Sequence, residues 1–221
     1  MWIKVCANTN LEDARLAANS GADAVGFVFA PSARRVTYAQ AEAIARHLPA
    51  QVERIGVFDS QDHLEILRGI EQAALTGAQL HRQFDPDLVR SLHGMLPRFT
   101  LTQTIHWDRS PGATSPADSL RSQLRQIQTE PAIERVLIDS RVGALTGGTG
   151  ITFDWVAAAE VLRAELGDLK LIVAGGLHSS NVAEAIQQLA PWGVDVATGV
   201  ESVPGKKDPE KLKAFIEKAS T

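Results

Sequence analysis

The chain has 221 residues, one cysteine, and a formal charge of −4 from 22 basic and 26 acidic side chains. That length suits one α/β barrel domain whose core needs no structural metal, and a lone cysteine cannot form an internal disulfide. The acidic balance offers no basic surface to nucleic acid, no apolar run reaches the roughly 18 residues of a membrane span, and the first residues enter a strand pattern rather than a leader, so the expected setting is the reducing cytoplasm.

In chain order, short β-branched runs alternate with longer stretches of helical period. WIKVC (2–6) precedes a helix over 11–20, AVGFVF (24–29) one over 38–48, RIGVF (54–58) one over 62–73, and GAQLH (77–81) one over 86–94. TLTQTI (100–105) is followed by HWDRSPGATSPAD (106–118), whose Pro, Ser and Gly read as a long loop, and then by a helix over 116–128. RVLID (135–139), KLIVAG (170–175) and VDVAT (194–198) lead to helices over 155–166, 180–189 and 208–219. Asn10 before Asp13 and Asn181 before Glu184 read as capping pairs, and Pro209 suits a first helical turn. An open doubly wound sheet shares this alternation, but eight units in so short a chain favour a closed (β/α)8 TIM barrel, one catalytic domain over residues 1–221.

Barrel active sites form at the carboxyl ends of the strands, which directs attention to the residues there. Cys6 ends the first run, His81 the fourth and Asp139 the sixth, Arg34 and Arg35 lie in the loop after the second, and Asp195 falls in the eighth. Cys6 is either a core thiol or a base or nucleophile, and Asp139 is either a cap or a proton donor. The arginines are either solvated or hold a carboxylate, and His81 is equally consistent with a structural role. AGG (174–176) and ATGVE (197–201) close the seventh and eighth strands, where small residues either permit tight turns or bring backbone amides to a phosphate. GALTGGTG (143–150) lacks the ending of a Walker loop and reads as a ligand-covering loop. There is no Cys/His cluster with metal-ligand spacing.

These residues lie in strings that resemble the phosphoribosylanthranilate isomerase family of tryptophan biosynthesis. KVCANTNLEDA, GADAVGFVFAPSARRVT, RIGVF, AQLH, LIDS, GGTGITFDW, LIVAGGL, NVAEAI and VDVATGVESVPGKKD fall in family order over nearly the whole chain. The resemblance implies a (β/α)8 enzyme without metal or organic cofactor, acting on a small phosphorylated substrate. It implies Cys6 as general base, Asp139 as general acid, Arg35 as the partner of the anthranilate carboxylate, and Gly175, Gly176, Thr198 and Gly199 as the phosphate site. Asp195 and His81 match family residues near the substrate.

The implied reaction is an Amadori rearrangement: Asp139 protonates the ribose ring oxygen, an iminium forms, and Cys6 removes the proton from sugar C2. Opposite protonation states are needed at one pH, so Asp139 is expected to be shifted up and the Cys6 thiolate to be stabilised. Two positions depart from the family pattern, Ala7 and Arg82, both glycine as a rule. The competing readings are an aldose-ketose isomerase of a related phosphorylated amino-sugar, against which Cys6 argues, and a non-catalytic phosphate-ligand binding barrel. The sequence does not distinguish monomer from homodimer.

Overall fold

In the computed structural model, which describes residues 1–108, 114–142, 145–146 and 152–221, every expected run forms a strand. They are β1 (Trp2–Val5), β2 (Ala24–Val28), β3 (Glu53–Phe58), β4 (Gly77–Leu80), β5 (Thr100–Asp108), β6 (Arg135–Val142), β8 (Lys170–Val173) and β9 (Gly193–Val196). A two-residue strand β7 (Leu145–Thr146) returns antiparallel on β6, and the hairpin β10 (Glu201–Val203) and β11 (Lys206–Lys207) follows β9. The eight long strands are all parallel and run around a ring in which β5 pairs with β6 and β1 with β9, so the sheet closes and the open-sheet alternative is excluded. Helices α1 (Leu11–Asn19), α2 (Tyr38–Ala45), α3 (His63–Gln72), α4 (Pro86–Met95), α5 (Pro116–Ile127), α6 (Trp155–Glu165), α7 (Val182–Leu189) and α8 (Pro209–Ala219) follow the strands in turn. None of them is long and apolar enough to cross a membrane.

Strand parity decides which side chains meet the helices and which fill the barrel. Ile3 and Val5, Val136 and Ile138, Leu171 and Val173, and Val194 and Val196 join the large outer core. The residues between them point inward: Leu137, Ile172 and Ala174 form a separate cluster against Trp2 and Trp192, whose stacked rings, 5.1 Å apart, fill its amino-terminal end. Cys6 and Asp139 therefore face the barrel axis because each lies two residues beyond an inward side chain, Lys4 and Leu137 respectively.

Most caps follow the sequence. Asn10 Oδ1 accepts from Asp13 N–H, and Pro209 occupies the first turn behind Asp208. Asn181 departs from expectation, for its side chain makes no cap bond to α7. Its Oδ1 instead accepts from His178 N–H and its Nδ2 donates to Gly176 O, tying down the turn after β8. The fifth strand also outruns its expected end, because HWD stays paired with β6 from His106 opposite Asp139 to Asp108 opposite Arg141. The expected ligand-covering loop at 143–150 lies outside the described residues except for β7.

Candidate active site

One cleft of about 990 Å³, its open mouth included, occupies the carboxyl end of the barrel. Cys6 and Asp139 both line it, together with His81, Asp195, Gly175, Gly176 and Thr198. The strands bearing Cys6 and Asp139 are separated around the ring by β9 and β8, so thiol and carboxyl approach a ligand from different walls.

Arg35 is not among the lining residues, whereas Arg34 is. The loop turns between Ser32 and Arg35, whose N–H donates to Ser32 O at 3.1 Å, and within that turn Arg34 lines the cleft while Val36, just beyond it, is buried in the outer core. Arg35 is exposed and lies near Tyr38. Arg34 is fixed by Glu201, its Nε at 2.9 and 3.0 Å and its Nη2 at 2.7 Å from the carboxylate oxygens. With Nε and Nη2 engaged on one edge, the other edge of the guanidinium fork can take a second carboxylate in bidentate fashion. Glu201 also pairs with buried Lys207 at 3.3 Å, and Lys207 Nζ donates to the carbonyl of Cys6 at 2.6 Å. Burial alone would raise the Glu201 carboxyl, but Arg34 and Lys207 outweigh it and hold the group below its usual range.

Asp139 is shifted in the expected direction. Burial, then the neighbouring Asp195 carboxylate, push it from 3.8 up to about 7, against the opposing Ser140 N–H and Lys4. Its Oδ1 is buried without a hydrogen-bond partner among the described residues, as is Asp195 Oδ1, so each leaves a polar atom for a ligand to satisfy. Cys6 departs from the expected direction. Burial pushes its thiol up and Asp195 adds to this, while Lys4 and Lys207 only partly oppose them. The residues of the site by themselves thus favour a neutral thiol beside a carboxyl that is neutral much of the time near pH 7.

Opposite these groups the AGGL turn supplies a concave run of backbone. Gly175 and Gly176 have φ of +81° and +67°, a conformation that glycine adopts without strain. Their N–H groups bond to no carbonyl among the described residues, an arrangement suited to an anion. A methyl group on Gly175 would lie 2.8 Å from Asp139 Oδ1, and one on Gly199 would overlap the Leu177 carbonyl. The two glycine turns therefore pack directly on each other and on Asp139. His81 stands edge-on to His106 with ring centres 5.3 Å apart. Arg82, half-exposed on the rim, lies 3.9 Å from Asp59.

Ala7, one of the two departures from the family pattern, and two residues that spacing did not single out, Lys4 and Gln79, complete the site. Ala7 lines the cleft with φ of +61°, unusual for a residue with a side chain. Lys4 lies beneath the cleft, and Gln79 is the inward side chain of β4. The available signal was a polar residue at the inward position of otherwise apolar strands, Lys in WIKVC and Gln in GAQLH. Among the described residues no three His, Cys, Asp or Glu side chains are grouped to hold a metal ion.

Residues 3–218 match the family model described as N-(5'phosphoribosyl)anthranilate (PRA) isomerase. An N-(5'-phosphoribosyl)anthranilate isomerase of Bacillus cereus is 39% identical over 219 residues, covering 99% of this chain and 98% of the relative. That of Desulfitobacterium hafniense is 36% identical over 230 residues, covering 98% and 96%. Among solved structures, phosphoribosyl anthranilate isomerase from Thermotoga maritima superposes with a TM-score of 0.84 at 34% identity, covering 100% of this chain and 98% of its own. A phosphoribosyl anthranilate isomerase in complex with reduced 1-(o-carboxyphenylamino)-1-deoxyribulose 5-phosphate superposes at 0.81 with 32% identity and the same coverage.

Proposed function

The chain belongs to the N-(5'-phosphoribosyl)anthranilate isomerase family, and from that premise we propose how its own residues carry out the reaction. It isomerises N-(5'-phosphoribosyl)anthranilate to 1-(2-carboxyphenylamino)-1-deoxyribulose 5-phosphate, a step of tryptophan biosynthesis in the cytoplasm. The observation that carries the mechanism is the shared cleft of Cys6 and Asp139, a thiol and a carboxyl raised to about 7, on separate walls.

Asp139 acts as general acid. Its buried carboxyl, shifted to about 7, donates to the ribose ring oxygen as the C1–O bond breaks, and the anthranilate nitrogen supplies electrons to form the iminium. Cys6 is the general base at sugar C2. Burial raises its thiol, but the positive charge of the iminium beside it favours the thiolate at the moment a base is needed. Proton loss from C2 gives the enolamine, and gain of a proton at C1 with loss of the C2 hydroxyl proton gives the ketone.

Arg34, rather than Arg35, holds the anthranilate carboxylate, since it lines the cleft and keeps one edge of its fork available. The Gly175 and Gly176 turn, with Thr198 beside it in the cleft and Gly199 packed behind on the Leu177 carbonyl, forms the phosphate site through backbone N–H groups. Asp195 sustains the high value of Asp139 and presents Oδ1 to a sugar hydroxyl. Purified protein supplied with phosphoribosylanthranilate made in situ should abolish its fluorescence rapidly. No loss at high enzyme concentration would contradict the activity.

A further inference from the structure

Lys4 is 1% exposed, the largest of the fully buried side chains, and does not line the cleft. An ammonium so placed is costly unless it is paired and has a use. Its partners are Asp195 Oδ2 at 3.0 Å and Gln79 Oε1 at 2.6 Å, and Gln79 Nε2 donates in turn to Thr104 Oγ1 at 3.1 Å. These contacts span four strands, β9, β1, β4 and β5, and fix the ammonium inside the barrel. Above it, on the same strand and with the same parity, is Cys6. A single point over Gly26, where a methyl group would stand, lies 2.6 Å from Cys6 Sγ and 3.0 Å from Lys4 Cε. The absence of a side chain on Gly26 therefore brings thiol and lysine together.

We propose that Lys4 is the fixed counter-cation of the Cys6 thiolate, a positioning residue that acts through the base without touching substrate. This rests on the reading of Cys6 as the base. Two further observations support it. Burial alone would drive the Lys4 ammonium down, yet Asp195 and Cys6 together more than offset this, so the group is charged at neutral pH. Lys4 is the strongest influence opposing the burial of the thiol, ahead of Lys207. Deprotonation of Cys6 thus gives an anion with a cation already beneath it, and no reorganisation is required when the proton leaves C2.

The other charged groups near the thiol do not substitute for Lys4. Asp195 on β9 and Asp139 on β6 disfavour the thiolate whenever they are ionised. Lys207 on β11 is occupied by the Cys6 carbonyl and Glu201, and Arg34 after β2 is occupied by Glu201 and then by substrate. Asp59 and His81 complete the titratable lining of the cleft.

Because Cys6 is the only cysteine, its ionisation can be read without interference from other thiols. The rate of alkylation by iodoacetamide, followed against pH, gives its midpoint in the unmodified protein, in Lys4→Met and in Lys4→Met/Asp195→Asn. The double substitution removes both charges of the buried pair and keeps the test available should Lys4→Met alone fail to fold. The midpoint should rise by about one pH unit or more in Lys4→Met, roughly tenfold less thiolate at a given pH below it. It should rise by less in the double variant, because the Lys4 influence exceeds that of Asp195. The pH limb of kcat assigned to the base should move by the same amount, with KM little changed. An unchanged or lowered midpoint in either folded variant overturns the proposal. Failure of Cys6→Ala to reduce turnover would instead overturn the role of Cys6 and leave the thiol titration standing on its own.

Discussion

Replacing Asp139 with asparagine should stabilise the fold while it destroys activity, by an amount that depends on pH. The carboxyl is 7% exposed and is raised from 3.8 to about 7, first by burial and then by Asp195. A carboxyl raised on folding holds its proton longer in the native state than in the unfolded chain. Its favourable contribution is complete below about pH 3.8 and is lost progressively as pH rises to about 7. At ~1.4 kcal/mol for each pH unit, the loss reaches up to about 4 kcal/mol above pH 7. An amide does not ionise, and it can still accept from Ser140 N–H. Urea unfolding of both proteins at several pH values between 5 and 8.5 should therefore give curves that diverge by about 1.4 kcal/mol per pH unit up to pH 7, the variant gaining, and run parallel above it. A difference that stays constant with pH would refute the claim that burial and Asp195 hold the proton on Asp139 up to about pH 7.

Ala7→Gly should raise unfolding stability by about 0.5–1 kcal/mol in chemical denaturation, because it relieves a left-handed alanine, the relief exceeding the added freedom of glycine in the unfolded chain. Arg34→Gln should raise KM more than tenfold with a smaller loss in kcat, whereas Arg35→Gln should leave both within about twofold, as steady-state kinetics will show. Glu201→Gln should weaken the hold on Arg34 and raise KM in the same assay, by less than loss of the arginine itself. Gly199→Ala should unfold at lower denaturant concentration and bind inorganic phosphate more weakly in calorimetry, since the added methyl overlaps the Leu177 carbonyl.

The barrel was legible because each strand carries its own signal, and strand parity then fixed the inward direction of Cys6 and Asp139. The length of β5 was less so: Pro, Ser and Gly after Asp108 masked three further residues that β6 holds by pairing. Spacing could not choose between adjacent Arg34 and Arg35, since the choice is made by a turn at Ser32 and by Glu201, 167 residues away in sequence. Asn181 met the local rule for a cap, but the turn after β8 recruited its amide. The upward shift of the Cys6 thiol depends on how deeply the surrounding strands bury it, a tertiary quantity. Lys4 was visible only as an anomaly in an apolar run, because its partner Asp195 lies 191 residues away.

The acid–base division between two strand tips is tested most directly by comparing kcat/KM for phosphoribosylanthranilate among the unmodified protein, Cys6→Ala and Asp139→Asn, each shown to be folded. Each substitution should lower the constant by about 10³-fold or more, the scale of losing one positioned proton-transfer group together with its geometry. Turnover within tenfold of the unmodified protein in either variant would contradict the assignment and require a different donor or acceptor in the cleft.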